Sequence, residues 1–297
     1  MQRGFFYDRK VVFVKKSMLE LHGAVIIMSG TGLFAKVLTL PPGDIITLRC
    51  IVAAGTLLAF VHLTGVRLGL ARRRDLGWIA LLGILIAVHW VTFFTAIQMS
   101  SVAIGLIAIF TFPVITVLIE PFFFSEPLDH RNLALALAVF AGVYLAIPGG
   151  PTGGRAAIGA AWGILSAFCY ALRNVLYRKH LSRYPSSTMM LYQVAVAAAV
   201  LLPFLSNGID LGTENRWLYL LILGVVFTAL PHTLFVDSLR TIKASTAGLM
   251  TCLEPIYGIL FAVLILDEMP EVKTVTGALI VVAAATYTSW RAHRQGN

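Results

Sequence analysis

Ionisable side chains are few inside the long apolar stretches of this chain, so each is a candidate for chemistry. His89, His232 and Glu254 fall near the middle of such stretches, and Lys36, Arg49, Glu120, Arg173 and Asp237 fall nearer their ends. Lys36 and Arg49 sit towards one face of the stretch, and Glu120, Arg173 and Asp237 towards the other. A charged group held away from water is costly unless it is paired or used, which makes these positions default site candidates. Glu254 directly precedes Pro255. A carboxylate there must be protonated or hydrogen-bonded. It can bind a substrate ammonium or carry a coupling proton, or it can be a satisfied structural acid. Catalytic patterns are not legible. There is no HExxH, no GxSxG and no phosphate-cradling GxxxxGK[ST], and the seven histidines lack ligand spacing. Cys50, Cys169 and Cys252 all lie in apolar stretches, which argues against a disulfide scaffold or a metal site. No cofactor, no metal and no enzymatic activity are expected.

Around these groups the aromatic residues are spaced to meet. His89 and Phe93 are four apart and share a helix face, while Trp90 and Phe94 share the adjoining one. Phe110 and Phe112 come just before Pro113, and Tyr170 has Asn174 one turn on. The candidate substrate-binding set is therefore His89, Trp90, Phe93, Phe110, Phe112, Tyr170, His232 and Glu254. Aromatic walls with a few polar tips suit an amino acid or a similar small organic solute. The competing reading is helix-on-helix packing. Pro113 and Pro255 are candidate hinges, because a proline removes one backbone hydrogen bond and frees the carbonyl four residues back, here Ile109 and Thr251. Arg173 and Asp237 form a candidate inner gate, set against the alternative that both side chains snorkel to the interface.

The elements that must position these residues are membrane spans. The 297 residues are 58% hydrophobic and only 12% charged, with mean hydropathy +0.85, which excludes an ordinary soluble domain. A bilayer core about 30 Å thick takes roughly 20 apolar residues per helix. Stretches of that kind lie near 19–38, 44–64, 76–97, 102–124, 132–148, 157–178, 187–206, 217–237, 244–266 and 273–290. The alternating short strands of a barrel are absent, and lipid leaves helices as the remaining way to satisfy a spanning backbone. The net charge of +9 falls largely on one side of this arrangement, in the first 17 residues and the loops at 65–75, 179–186 and 238–243. By the positive-inside rule both termini are cytoplasmic. The basic face is a topology signal rather than a nucleic-acid surface. Residues 1–17 read as a basic cytoplasmic leader, not a cleavable signal peptide. Gly159 and Gly163 form a GxxxG, read as internal packing ahead of dimerisation.

The chain also repeats itself. Residues 101–145 lie over 243–287 at an offset of about 142: Pro113 falls on Pro255, Glu126 on Glu268, Asp129 on Glu271 and Arg131 on Lys273. Phe94 falls on Phe235 and Gly23 on Gly163 at nearly the same offset. Five spans precede the join near Pro148-Gly149-Gly150-Pro151 and five follow it. An odd number inverts the second half in the membrane, and such inverted repeats are the architecture of many secondary transporters. The expected organisation is a leader at 1–17, a first five-helix repeat at 18–148, an inverted five-helix repeat at 156–290 and a cytoplasmic tail at 291–297. A channel would show a continuous polar stripe, which is missing. An intramembrane enzyme would show convergent catalytic groups, also missing.

With Phe112-Pro113 running to Ser125-Glu126-Pro127, and Glu254-Pro255 running to Asp267-Glu268-Met269-Pro270, the chain after residue 17 resembles the drug/metabolite transporter superfamily in its ten-helix EamA-type branch. The resemblance implies a multi-pass protein of the cell membrane with a small-molecule solute as its partner. Within the branch, the aromatic set around His89 and Tyr170 looks most like the amino-acid exporters, the aromatic type included. Amines, drugs and nucleosides are the alternative cargoes. No clustered basic pocket is expected at mid-depth, which argues against phosphorylated-sugar or nucleotide-sugar cargo. Monomer and homodimer both stay open.

Overall fold

In the computed structural model the residues described are 18–124, 130–149, 154–238 and 250–295. Within them the side chains of 130–132, 214, 236–238, 288–289 and 291–295 are outside the description. The leader at 1–17, Glu126, Asp129, the join at 150–153 and the basic residues Arg240 and Lys243 also lie outside it, as do the side chains of Arg131, Asp237 and the tail.

The described residues form helices and connecting turns, with no strand among them. We label the rods α1 (Met18–Val37), α2 (Pro42–Thr64), α3 (Asp75–Met99), α4 (Val102–Phe124), α5 (His130–Ala146), α6 (Arg155–His180), α7 (Ser186–Phe204), α8 (Arg216–Phe235), α9 (Glu254–Leu266) and α10 (Val272–Gln295). α1 to α4 and α6 to α8 are seven helices long and apolar enough to cross a membrane; α5, α9 and α10 contain shorter apolar helices. Local chemistry sets the ends. Proline stands in the first turn of α2, where a missing N–H costs nothing. Gly65, at φ 66, closes the same helix in a left-handed conformation that a side chain would resist. The Ser101 side chain accepts from the Ile104 N–H and caps α4. Large apolar side chains point outwards along the bundle: Leu137, Leu264 and Leu279 are 67%, 68% and 63% exposed. A belt of that kind fits hydrocarbon rather than water.

Packing interleaves the first and second halves of the chain instead of forming two lobes. α3 runs against α6 and α7, α2 against α7 and α8, α9 against α1 and α4, and α5 against α10. Small residues allow the close approaches, because packing replaces the hydrophobic effect between membrane helices. A Cβ at Gly83 would strike Val196, and one at Gly224 would strike Val52. These two contacts are counterparts, α3 on α7 and α8 on α2. Gly159 and Gly163 face Ala96, Ser100 and Ala108, so the GxxxG packs internally.

Two helices are broken at matching points. In α4 the break is at Phe110–Thr111, between segments Val102–Ile109 and Phe112–Phe124. Before α9 it is at Cys252–Leu253, ahead of Glu254–Leu266. The hydrogen bonds match too: Thr111 N–H to Ala108 O (3.3 Å) with Leu253 N–H to Met250 O (3.1 Å), and Ile115 N–H to Thr111 O (3.0 Å) with Tyr257 N–H to Leu253 O (3.1 Å). Each pair is displaced by the repeat offset. Pro113 and Pro255 stand in the first turn of the second segments, so the chain is interrupted just before each proline rather than bent at it.

Candidate functional site

The first cluster forms because α3, α4 and α6 cross near mid-length. His89 lies fourteen residues into α3, about 21 Å along it. Its ring stacks on Tyr170 of α6, with centroids 4.6 Å apart, and lies parallel to Phe93 at 6.4 Å. Tyr170 meets the edge of Phe112 at 4.9 Å, and Phe112 meets Phe110 at 5.7 Å. Five of the expected residues are thus one aromatic ladder. Each such pair is worth about 0.5–1.5 kcal/mol beyond burial. Ser166 of α6 holds the histidine in place. Its hydroxyl donates to the His89 carbonyl (2.7 Å), so the ring Nδ1–H must be the donor to Ser166 Oγ (2.8 Å). That exchange leaves Nε2 as the acceptor.

Trp90 belongs to a second cluster, assembled around Arg49. The Arg49 guanidinium lies 4.4 Å from the Trp90 ring centroid and 6.0 Å from that of Phe94. Its Nε–H donates to Thr228 Oγ1 at 2.7 Å. Thr228 sits in a π-helical turn, Val225–Ala229, and donates its own proton to Leu223 O, five residues back. The wide turn brings the hydroxyl round to α2. His232 hangs from the same turn, donating from Nδ1 to Thr228 O at 2.6 Å. Arg49 is only 2% exposed. Its sequence position placed it towards one end of the span, and it lies seven residues inside α2, about 10 Å from the helix end, with its side chain turned inwards. Depth within the span was the signal that pointed to it.

Arg49, Arg173 and His232 all lie within electrostatic reach of His89; Arg49 and His89 are buried, and Arg173 and His232 are half-buried. Arg173 donates to Gln193 Oε1 (2.7 Å) and to Asn174 Oδ1 (2.8 Å). The Asp237 side chain of the expected gate is outside the described residues. Glu254 opens α9 as Phe112 opens the lower part of α4, and it lies within electrostatic reach of Tyr170. Sequence reasoning missed Ser166, Thr228 and Gln193, ordinary polar residues whose roles depend on what faces them.

Polar ties hold both ends of the bundle. At one end Lys36 Nζ donates to Ser100 O (2.9 Å) and pairs with Glu268 (3.5 Å), whose other oxygen accepts from Val102 N–H (2.9 Å). A cavity of about 430 Å³ opens beside this tie, with Ser100, Ser101, Arg155 and Glu268 in its wall. At the other end Arg183 and Tyr184 both bind Asp75, Arg178 binds Glu120, and Trp78 stacks on His180 at 3.7 Å. Hydrogen bonding to Asp75 raises the Arg183 pKa above its ordinary value.

An all-helical bundle with an apolar outer belt, two matching broken helices and a buried polar centre defines a membrane transporter. Residues 16–147 and 157–290 each match the EamA-like transporter family, and the chain belongs to it, within the drug/metabolite transporter superfamily. An uncharacterized transporter of Bacillus subtilis, YxxF, is 25% identical over 94% of this chain and 91% of its own. The pseudopaline exporter CntI of Pseudomonas aeruginosa is 24% identical over 83% of this chain and 85% of its own. A solved crystal structure at 20% identity has the same fold, with a TM-score of 0.65 over 95% of this chain and 99% of that one.

Proposed function

We propose that the protein is a secondary transporter that exports amino acids, aromatic and other neutral ones, or closely related small metabolites, by alternating access. In this reading ten helices cross the cell membrane as two inverted five-helix repeats, residues 18–148 and 156–290, with both termini in the cytoplasm. The carrying observation is the pair of breaks at Phe110–Thr111 and Cys252–Leu253, displaced by one repeat and lying beside the buried cluster. Discontinuous helices at the repeat interface are where such transporters hold their solutes. Pro113 and Pro255 act as the hinges that keep the two segments separate. His89, Trp90, Phe93, Phe110, Phe112 and Tyr170, with His232 and Glu254, form the solute site. Arg173 and Asp237 close its inner side. The Lys36–Glu268 tie closes the other side and must open once per cycle. A larger metabolite cargo is the second reading, favoured by the likeness to a protein named as a pseudopaline exporter.

Counterflow in liposomes tests this. Vesicles preloaded with an amino-acid panel are expected to accelerate uptake of labelled tryptophan, phenylalanine or threonine. Phe112→Ala and His89→Ala are expected to abolish the exchange while the protein stays folded. No exchange with any amino acid, from folded protein, would refute the cargo assignment.

A further inference from the structure

Arg49 is a buried cation with unused donors. A guanidinium carries five N–H groups in a fixed fork. Here the Nε–H is taken by Thr228, the flat face lies over Trp90, and Nη1 is buried without a hydrogen-bond partner. Among the described residues no carboxylate answers the charge. The ion pairs among the described residues are Lys36–Glu268, Arg178–Glu120 and Arg183–Asp75, all towards the ends of the helices. Arg173, a half-buried guanidinium within electrostatic reach of His89, is held by the neutral amides of Gln193 and Asn174. Glu254, the acid of this region, pairs with neither among the described residues. A charge taken out of water and left unpaired is strongly destabilising. A buried polar group is normally satisfied, so an orphan calls for a reason. Thr228 and Trp90 fix the plane of the fork without using its outer edge. That edge has the geometry for a carboxylate, accepted through two parallel N–H bonds.

We propose that Arg49 is the anion anchor of the solute site, pairing with a carboxylate of the cargo. This rests on the transporter reading and narrows it. Solutes with a free carboxylate are recognised, and amines lacking it are not. Thr228, through the π-turn, and Trp90 act as positioning residues for the guanidinium.

Trp90 supplies a local readout, since it stacks on the group in question. Purified full-length protein is titrated with phenylalanine, leucine and 3-phenylpropanoate, and with phenethylamine and isopentylamine. Trp90 emission is assigned by subtracting the Trp90→Phe protein, and counterflow is run on the same panel. The carboxylates are expected to shift Trp90 emission and the amines are not. Arg49→Gln should weaken carboxylate binding about 10- to 100-fold, the range of a charge-assisted pair. Arg49→Lys should retain part of the recognition. Arg49→Gln should also not lower the melting temperature, because removing an unpaired buried charge relieves the fold. If Arg49→Gln does not fold, Thr228→Val serves instead: it leaves the charge and loosens the fork, and should shrink the preference for acid over amine. Equal responses to acids and amines in the wild type would overturn the proposal, and so would a silent Trp90. Silence with accelerated counterflow removes the anchor and leaves the transporter. A Trp90 response without counterflow leaves the anchor and removes the transporter.

Discussion

Gly277→Ala tests a close backbone-to-backbone helix contact in the bundle. α5 and α10 meet at two facing glycines. A Cβ on Gly277 would lie 2.3 Å from Gly142 O and 2.8 Å from both the N and the Cβ of Ala146. Ordinary contact begins near 3.4 Å, so the helices must part by about 1 Å locally. The obstructing atoms are mostly backbone and cannot swing aside. A gap of that size forfeits about a quarter to a half of the dispersion energy of each contact along the seam. Overpacking of this kind costs about 1–3 kcal/mol. Separation also stretches the bond from Thr274 Oγ1 to Ala146 O, now 3.0 Å. Against this, alanine gains up to about 1 kcal/mol over glycine in helix propensity. Gly23→Ala isolates that gain, since nothing lies within 4 Å of a Cβ there. The difference between the two variants is therefore the quantity to read, about 1–3 kcal/mol in favour of Gly23→Ala, because the propensity gain cancels. At roughly 2–4 °C per kcal/mol for chains of 150–250 residues, Gly277→Ala should melt several degrees below Gly23→Ala in detergent. Equal melting temperatures would refute the close approach of α5 and α10.

Ser166→Ala removes both hydroxyl bonds to His89, leaving its Nδ1 with the Ser166 carbonyl at 3.2 Å, and should cost about 1–3 kcal/mol; chemical shifts of the His89 ring should report a disturbed tautomer, and unchanged shifts would refute the reciprocal pair. Glu268→Ala unties Lys36 and the α4 N-terminus, for at most about 1 kcal/mol of stability because the pair is a quarter exposed; a cysteine at Ser100 should then react faster with a membrane-impermeant maleimide, and an unchanged rate would argue against a closing tie. Asp210 is held below the usual carboxylate range by the Thr213 hydroxyl and by the Thr213 and Gly212 amides. With a depressed folded-state pKa, its contribution to the α7–α8 loop is present above ordinary carboxylate values and is lost as pH falls through the lowered one. Amide exchange at Thr213 should stay slow through neutral and mildly acidic pH and quicken only in strong acid, and Asp210→Asn should remove that dependence.

Span positions and the repeat were legible in the residues because each rests on a one-dimensional signal. A run of apolar side chains long enough for hydrocarbon marks a helix wherever it packs, as Pro42–Thr64 against the expected 44–64 shows. The offset of Pro113 and Pro255 likewise located the two interruptions, although the backbone breaks before each proline and not at it. The pairing of His89 with Phe93 could be read from helical spacing, since both stand on one helix. What meets across helices could not be read. A membrane helix is apolar all round, so its periodicity says little about which face turns to which neighbour. Arg49 shows the consequence. Its position along α2 gave its depth, but not the rotation of α2 against α3 and the π-turn of α8 that bring it to Trp90 and Thr228. His89 and His232 come within electrostatic reach of it, and Arg173 of both histidines, for the same reason. Residue counts along the chain cannot reveal neighbours drawn from four different helices. The residues determined that this chain lives in a membrane as a duplicated helical bundle. Only the crossing of those helices decided that Arg49 is buried against Trp90 and Thr228, with its Nη1 left without a hydrogen-bond partner.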